Sequence, residues 1–210
     1  PSAERMWYSS QYVLGAGTRF GGKVKKVAPA LNGAWIFGGE HNAFTLDYNA
    51  EAPYYGVASS NRAELILPYA TVVLDFMSNA KTESAYFQCP SGLHYPGAIG
   101  PFGYYNCNWM HMHLHGSFSA LPLIWHWEYT RNHSFLVDGT IATHDSSATP
   151  YALFKGLAEW WACHLVKEQS ADVNGGYVYS DLDDCSQEDL NYYNRPYRFQ
   201  QSDNVCNATA

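Results

Sequence analysis

A chain of 210 residues with 47% apolar side chains can bury a substantial core and has room for one or two domains. A formal net charge of -7, with only 12 Lys and Arg, leaves no basic stripe to neutralise phosphates, so nucleic acids and anionic membrane surfaces are poor partners. No apolar run approaches the roughly 20 residues that span a bilayer, and the opening PSAERMWYSSQYVL lacks the basic-then-apolar pattern of a signal peptide, as expected of a mature piece or a fragment.

The first expected element is a helix over 4–16, where Met6, Tyr8, Tyr12 and Val13 recur near helical spacing before the Gly-rich GAGTRFGGK ends it. Residues 20–47 read as irregular loop and short strands, because Gly21, Gly22, Pro29, Gly33, Gly38 and Gly39 interrupt any long helix. From Tyr54 to Asn79 a helical pattern resumes, broken near Ser59-Ser60-Asn61 and at Pro68, which either starts or kinks a second helix with Val72, Val73, Phe76 and Met77 on its apolar face. CPSGLHYPGAIGPFGYYNCN, 89–108, is a long loop with a cysteine near each end, and long ordered loops inside compact domains are usually functional. Helical patterns follow over 116–130, where Pro122 lies in the first turn or kinks the helix, and over 150–169, with Leu153, Leu157, Trp160 or Trp161, and Leu165 on one side. The tail opens with NGGYVYSDLDD, a short hairpin or strand, and then loses all period. No internal repeat shows in the letters. Helices alternating with long aromatic-rich loops fit stacked helical hairpins, a mainly α fold, better than a doubly wound sheet, and no dinucleotide, P-loop or nucleophile-elbow motif is present.

Cys89, Cys107, Cys163, Cys185 and Cys206 are scattered without a CxxC pair, which argues against a zinc ribbon or a thioredoxin-type site. Their odd number leaves at least one thiol free or bonded to another chain. Two glycosylation sequons, at Asn132 and Asn207, are acceptors only in the secretory pathway, and with the scattered cysteines they point to an extracellular or secretory setting. Aromatic residues make up 16% of the chain, 17 of them Tyr and 7 Trp. Such rings suit packing against sugars, although a tyrosine-rich core and surface would use the same composition.

Two stretches carry candidate chemistry. In WMHMHLHG, His111, His113 and His115 alternate. On a strand all three align, whereas on a helix only His111 and His115 share a face. A zinc site would need further ligands and a second shell that the neighbouring Met, Trp and Asn do not supply, so no metal and no cofactor are assigned. These histidines are read as hydrogen-bonding groups of an aromatic cleft or as packed side chains. In TLDYNAEAPYYGVASSNR, 45–62, Asp47, Asn49 and Glu51 would share one face of an extended segment and present carboxylate and amide groups to a pocket. Turn and cap chemistry accounts for the same residue types.

The order LNGAWIFG, FTLDYNAEAPYYGVASSN, a Gly-rich aromatic loop and GSFSALPLIWHWEYTRNHSFL resembles the catalytic module of the six-hairpin glycosidases, closest to the α-L-fucosidases of glycoside hydrolase family 95. The resemblance covers most of 4–180 and implies one partial six-hairpin domain over 1–210, the first helical hairpins of an (α/α)6 toroid. It also implies inverting hydrolysis, with Asp47 and Asn49 on the water-activating side and Trp35, Glu51, Tyr54, Tyr55, Trp109, His113 and His115 lining a carbohydrate cleft. Asp47 stands where the family pattern has an asparagine, and Arg131-Asn132 follows Glu128-Tyr129-Thr130 where it has Gly-Asp. A closed ring of twelve helices needs roughly 350–400 residues at common helix and loop lengths. The expected partners are therefore a carbohydrate and a second chain or further segment that completes the ring, and the alternative is a non-catalytic structural or carbohydrate-binding glycoprotein.

Overall fold

In the computed structural model, residues 2–18, 44–46, 48–104, 113–138, 147–169 and 177–180 are described. Their regular structure is mainly α-helical, in agreement with the expected class. Helix α1 runs Ser2–Gly17. Its apolar residues do not form a packed stripe. Met6, Trp7, Tyr8 and Tyr12 are exposed, and only Leu14 is buried. The link from Ser60 Oγ to Gln11 Oε1 (3.3 Å) ties the helix to the body of the chain.

The middle of the chain departs from the expected pair of helices over 54–79. Residues 52–65 form two 3₁₀ turns, Ala52–Tyr54 and Ala63–Leu65, separated by a stretch in which Asn61 adopts a left-handed φ of 61°, tolerable for Asn because its short side chain bonds locally. Helix α2 then spans Ile66–Asp75 with Pro68 in its first turn, where a missing N–H costs nothing. Phe76 interrupts the helix, its N–H bonding to Val73 O (3.3 Å), and α3 runs Met77–Tyr86. Ile66, Tyr69, Val73 and Leu74 of α2 are all buried, as are Pro68, Ala70 and Thr71. A helix apolar nearly all round belongs at the centre of a core, and α2 packs against α3, α5 and α7.

A two-residue pairing of β1, Phe44–Thr45, with β2, Ala98–Ile99, pins the start of the 45–62 stretch to the long loop. Helices α4, His115–Ser119, and α5, Leu121–Thr130, divide the expected 116–130 helix at Ala120, with Pro122 in the first turn of α5. Arg131, in left-handed conformation, stops α5 and lays its guanidinium 4.5 Å from the Trp127 ring centre. Helix α6, His133–Val137, is capped by Asn132. Helix α7, Pro150–His164, is capped by Thr149, whose Oγ1 accepts from Ala152 N, and ends five residues earlier than the 150–169 pattern predicts. Val166–Gln169 is instead β3, antiparallel to β4, Tyr177–Ser180; the β-branched Val166 and the missing apolar period after Leu165 explain the change. Cys89, just beyond α3, is disulfide-bonded to Cys163 in the last turn of α7. No helix among the described residues is long and apolar enough to cross a membrane.

Candidate functional site

The segment after β1 is a turn, not the extended face expected. The N–H of Ala50 bonds to Thr45 O (2.9 Å) and that of Ala52 to Tyr48 O (2.8 Å), so the chain coils back on itself and the alternation of side chains is lost. Asn49 is exposed and Glu51 is fully buried. The two therefore do not share a face, which corrects the extended reading. Asp47, Trp35, Trp109 and Asn207 lie outside the described residues.

Glu51 organises the turn from inside. Its Oε2 accepts from the Tyr48 N–H (3.3 Å), and its Oε1 lies 3.0 Å from the Tyr69 hydroxyl of α2. That hydroxyl is also 2.9 Å from the Ser119 carbonyl, so a single phenolic proton serves two acceptors and ties the 48–51 turn to α2 and to the end of α4. Tyr54 stacks obliquely on Tyr69 at 4.9 Å and is wholly buried. Burial holds both phenols above the ordinary tyrosine range, and at Tyr69 the Glu51 carboxylate adds to it. Glu51 and Tyr54 are thus core residues rather than the wall of an open cleft. Both Glu51 oxygens are hydrogen-bonded, whereas the buried Tyr54 hydroxyl has no hydrogen-bond partner among the described residues, at a cost of about 1–3 kcal/mol.

What the turn presents outward is aromatic. Tyr48 is 55% and Tyr55 46% exposed, with ring centres 5.9 Å apart and nearly perpendicular. Tyr55 in turn meets Trp125 of α5 edge-on at 5.3 Å. Tyr48 holds a φ of 137°, a conformation costing of order 1–3 kcal/mol for a side chain with a Cβ and concentrated at functional sites. Sequence reasoning passed over Tyr48 and Trp125. Tyr48 sits between two polar residues that drew the attention, and Trp125 is one of several aromatics in LIWHWEY with no local mark to separate it.

The sequence of this chain was compared with protein-family models and with curated proteins, and its fold with solved structures. None matches. The site therefore stands on its own geometry.

The alternating histidines part company. His111 lies outside the described residues, and His115, buried, opens α4. His113 is buried in a separate aromatic chamber, 4.4 Å from the His164 ring, 5.6 Å from those of His94 and Phe87, and 5.7 Å from Trp160. None of these rings belongs to the 48–55 segment, so the expected cleft-lining residues divide between two places. Among the described residues no group of three or more His, Cys, Asp or Glu is arranged to hold a metal.

Next to Trp125, His126 turns inward. Its Nδ1 donates to the Ala63 carbonyl (2.9 Å) and its ring packs on Phe135 at 4.1 Å. Desolvation by burial lowers its pKa, against smaller opposing effects of the Ala63 bond and the Glu64 charge. A histidine that is harder to protonate folded than unfolded binds fewer protons in the native state. Its contribution to stability is therefore complete above the ordinary value of about 6.5 and is lost as pH falls through the lower folded value. The expected result is a larger drop in the urea midpoint of wild type than of His126→Asn between about pH 7.5 and pH 5. Equal drops in the two proteins would show that His126 does not carry the dependence.

Proposed function

We propose that the chain is a carbohydrate-handling, glycosidase-like protein of extracellular setting, which meets sugar at the Tyr48, Tyr55 and Trp125 array beside Asn49. The observation that carries this reading is the array itself: three contiguous rings, two of them substantially exposed, on a strained turn anchored from within by Glu51 and Tyr69. Aromatic rings with an apolar face and a polar edge suit the C–H face and the hydroxyls of a pyranose, and a side chain locked by packing recognises more sharply than a mobile one. The mainly helical fold agrees with hairpins of a six-hairpin toroid, to be completed by a further segment or a second chain. The Cys89–Cys163 disulfide agrees with an oxidising compartment.

Binding without turnover is the reading that the aromatic array favours; the Glu51 carboxylate, sealed from solvent, supplies no proton transfer to a bound sugar, and turnover would have to rest on Asp47 and Asn49. Hydrolysis is the second reading, and the exposed Asn49, two positions after Asp47 in the sequence, favours it. Titration with α-fucosylated and α-galactosylated oligosaccharides separates the two. Tyr55→Ala and Trp125→Ala are each expected to weaken binding about tenfold, equivalent to ~1.4 kcal/mol, with folding retained. Binding unchanged in both variants would remove the array from the site. Turnover by wild type that Asp47→Asn abolishes would establish the hydrolytic reading over the binding one.

A further inference from the structure

The sequon at Asn132 is not used by any of this. Asn132 is exposed, extended in backbone conformation, and stands immediately before α6. Its side chain accepts from the Phe135 N–H at 3.2 Å, and because an N–H must meet an acceptor, the atom turned to the helix is Oδ1. The amide nitrogen, on the opposite side of the same planar carbon, points away from that N–H. Ser134, two residues on, is exposed as well, so both positions that define the acceptor face outward.

We infer that Asn132 is an acceptor for an N-linked glycan that leaves the helix cap intact. In the transfer, Nδ2 attacks the anomeric carbon of a lipid-diphosphate-linked oligosaccharide. The N–C1 bond forms, the C1–O bond to the diphosphate breaks, the lipid diphosphate leaves with the electron pair, and one amide proton is lost to base. Oδ1 takes no part in the new bond and goes on accepting from Phe135. An Asn cap stabilises the start of a helix, and here glycan and cap use different atoms of one side chain. Phe135, whose N–H is held, is itself buried against the core, so the cap also fixes the entry of α6 beneath the glycan. The inference rests on the secretory setting proposed above, and the test reads the two separately.

The chain is secreted from eukaryotic cells behind a supplied leader, and three things are measured: the Asn132 peptide by mass spectrometry before and after peptide N-glycosidase, the state of Cys89 and Cys163, and thermal stability. Glycan at Asn132, absent from Ser134→Ala, is the expected result, with the glycosylated protein and the same chain made with glycan transfer blocked unfolding at the same temperature because both keep the cap. Asn132→Gln loses glycan and cap together and is expected to unfold at a lower temperature than either. An unmodified Asn132 in a secreted chain with the disulfide closed overturns the acceptor. A glycosylated form that melts as low as Asn132→Gln overturns the division of labour between Oδ1 and Nδ2. Free thiols at Cys89 and Cys163 in the secreted chain count against the oxidising setting, whereas the Asn132 peptide still decides the acceptor.

Discussion

Replacing Cys89 and Cys163 together by serine is expected to lower the unfolding free energy by about 2–5 kcal/mol. The two cysteines are 74 positions apart, and closing a loop of that length removes chain entropy from the unfolded state worth roughly 4 kcal/mol. The bond also joins two parts of the structure that depend on each other. Cys89 is buried in the turn after α3, its carbonyl accepting from Ser84 Oγ, while exposed Cys163 sits in the last turn of α7. One turn earlier on the same helix stands Trp160, fully buried. Without the bond, the end of α7 is held to this turn by packing and by weaker contacts such as that between Leu93 N and Gly156 O (2.9 Å). Urea unfolding of oxidised wild type, reduced wild type and the double variant measures the effect, and the last two should coincide. A double variant within about 0.5 kcal/mol of oxidised wild type, the scatter of ordinary surface substitutions, would show that the bond is not structural.

That pairing was not legible in the letters, and the reason is physical. Five scattered cysteines admit many connectivities, and only the three-dimensional approach of α3 to α7 selects Cys89–Cys163. The helices were legible where an apolar period met a clear stop: α7 begins at Pro150 behind the Thr149 cap, and Pro68 and Pro122 both fall in first turns. The first helix was legible too, since the helix expected over 4–16 is present as Ser2–Gly17, but which of its faces would be covered was not. Met6, Tyr8 and Tyr12 have helical spacing, yet they face outward, because a pattern of apolar residues cannot say whether a partner surface is present. The candidate site failed in a similar way. Alternation placed Asn49 and Glu51 together on the assumption of an extended backbone, and a turn closed by backbone hydrogen bonds separates them. The aromatic surface emerged only from the tertiary neighbourhood, since Tyr55 and Trp125 are 70 residues apart (125 less 55).

Truncating Trp160 to alanine is expected to cost about 3–5 kcal/mol, the range for the largest buried aromatics. Its ring stacks on His164 at 4.5 Å and 13° and meets His94 at 4.7 Å and Phe87 at 5.4 Å. Removing it would leave the rings of Phe87, His94, His113 and His164 facing a void, and a close-packed interior can collapse only part of the way into such a gap. The opposite side of the same residue is equally constrained. A Cβ built on Gly92 would lie 2.6 Å from Trp160 Cα and 2.8 Å from Trp160 N, and these are backbone atoms of a helix, unable to yield as a flexible side chain would. Gly92→Ala is therefore expected to destabilise by about 1–3 kcal/mol through overpacking, with α7 pushed outward from the Cys89 turn. The two substitutions act on one contact from its two sides, so their costs should not add: the void left by Trp160→Ala loosens α7 and lets it shift away from an alanine at 92. Chemical denaturation of both single variants and the double variant gives the coupling. A double variant equal to the sum of the singles would mean that Gly92 and Trp160 are felt independently, and that α7 is seated chiefly by its disulfide rather than by this close approach.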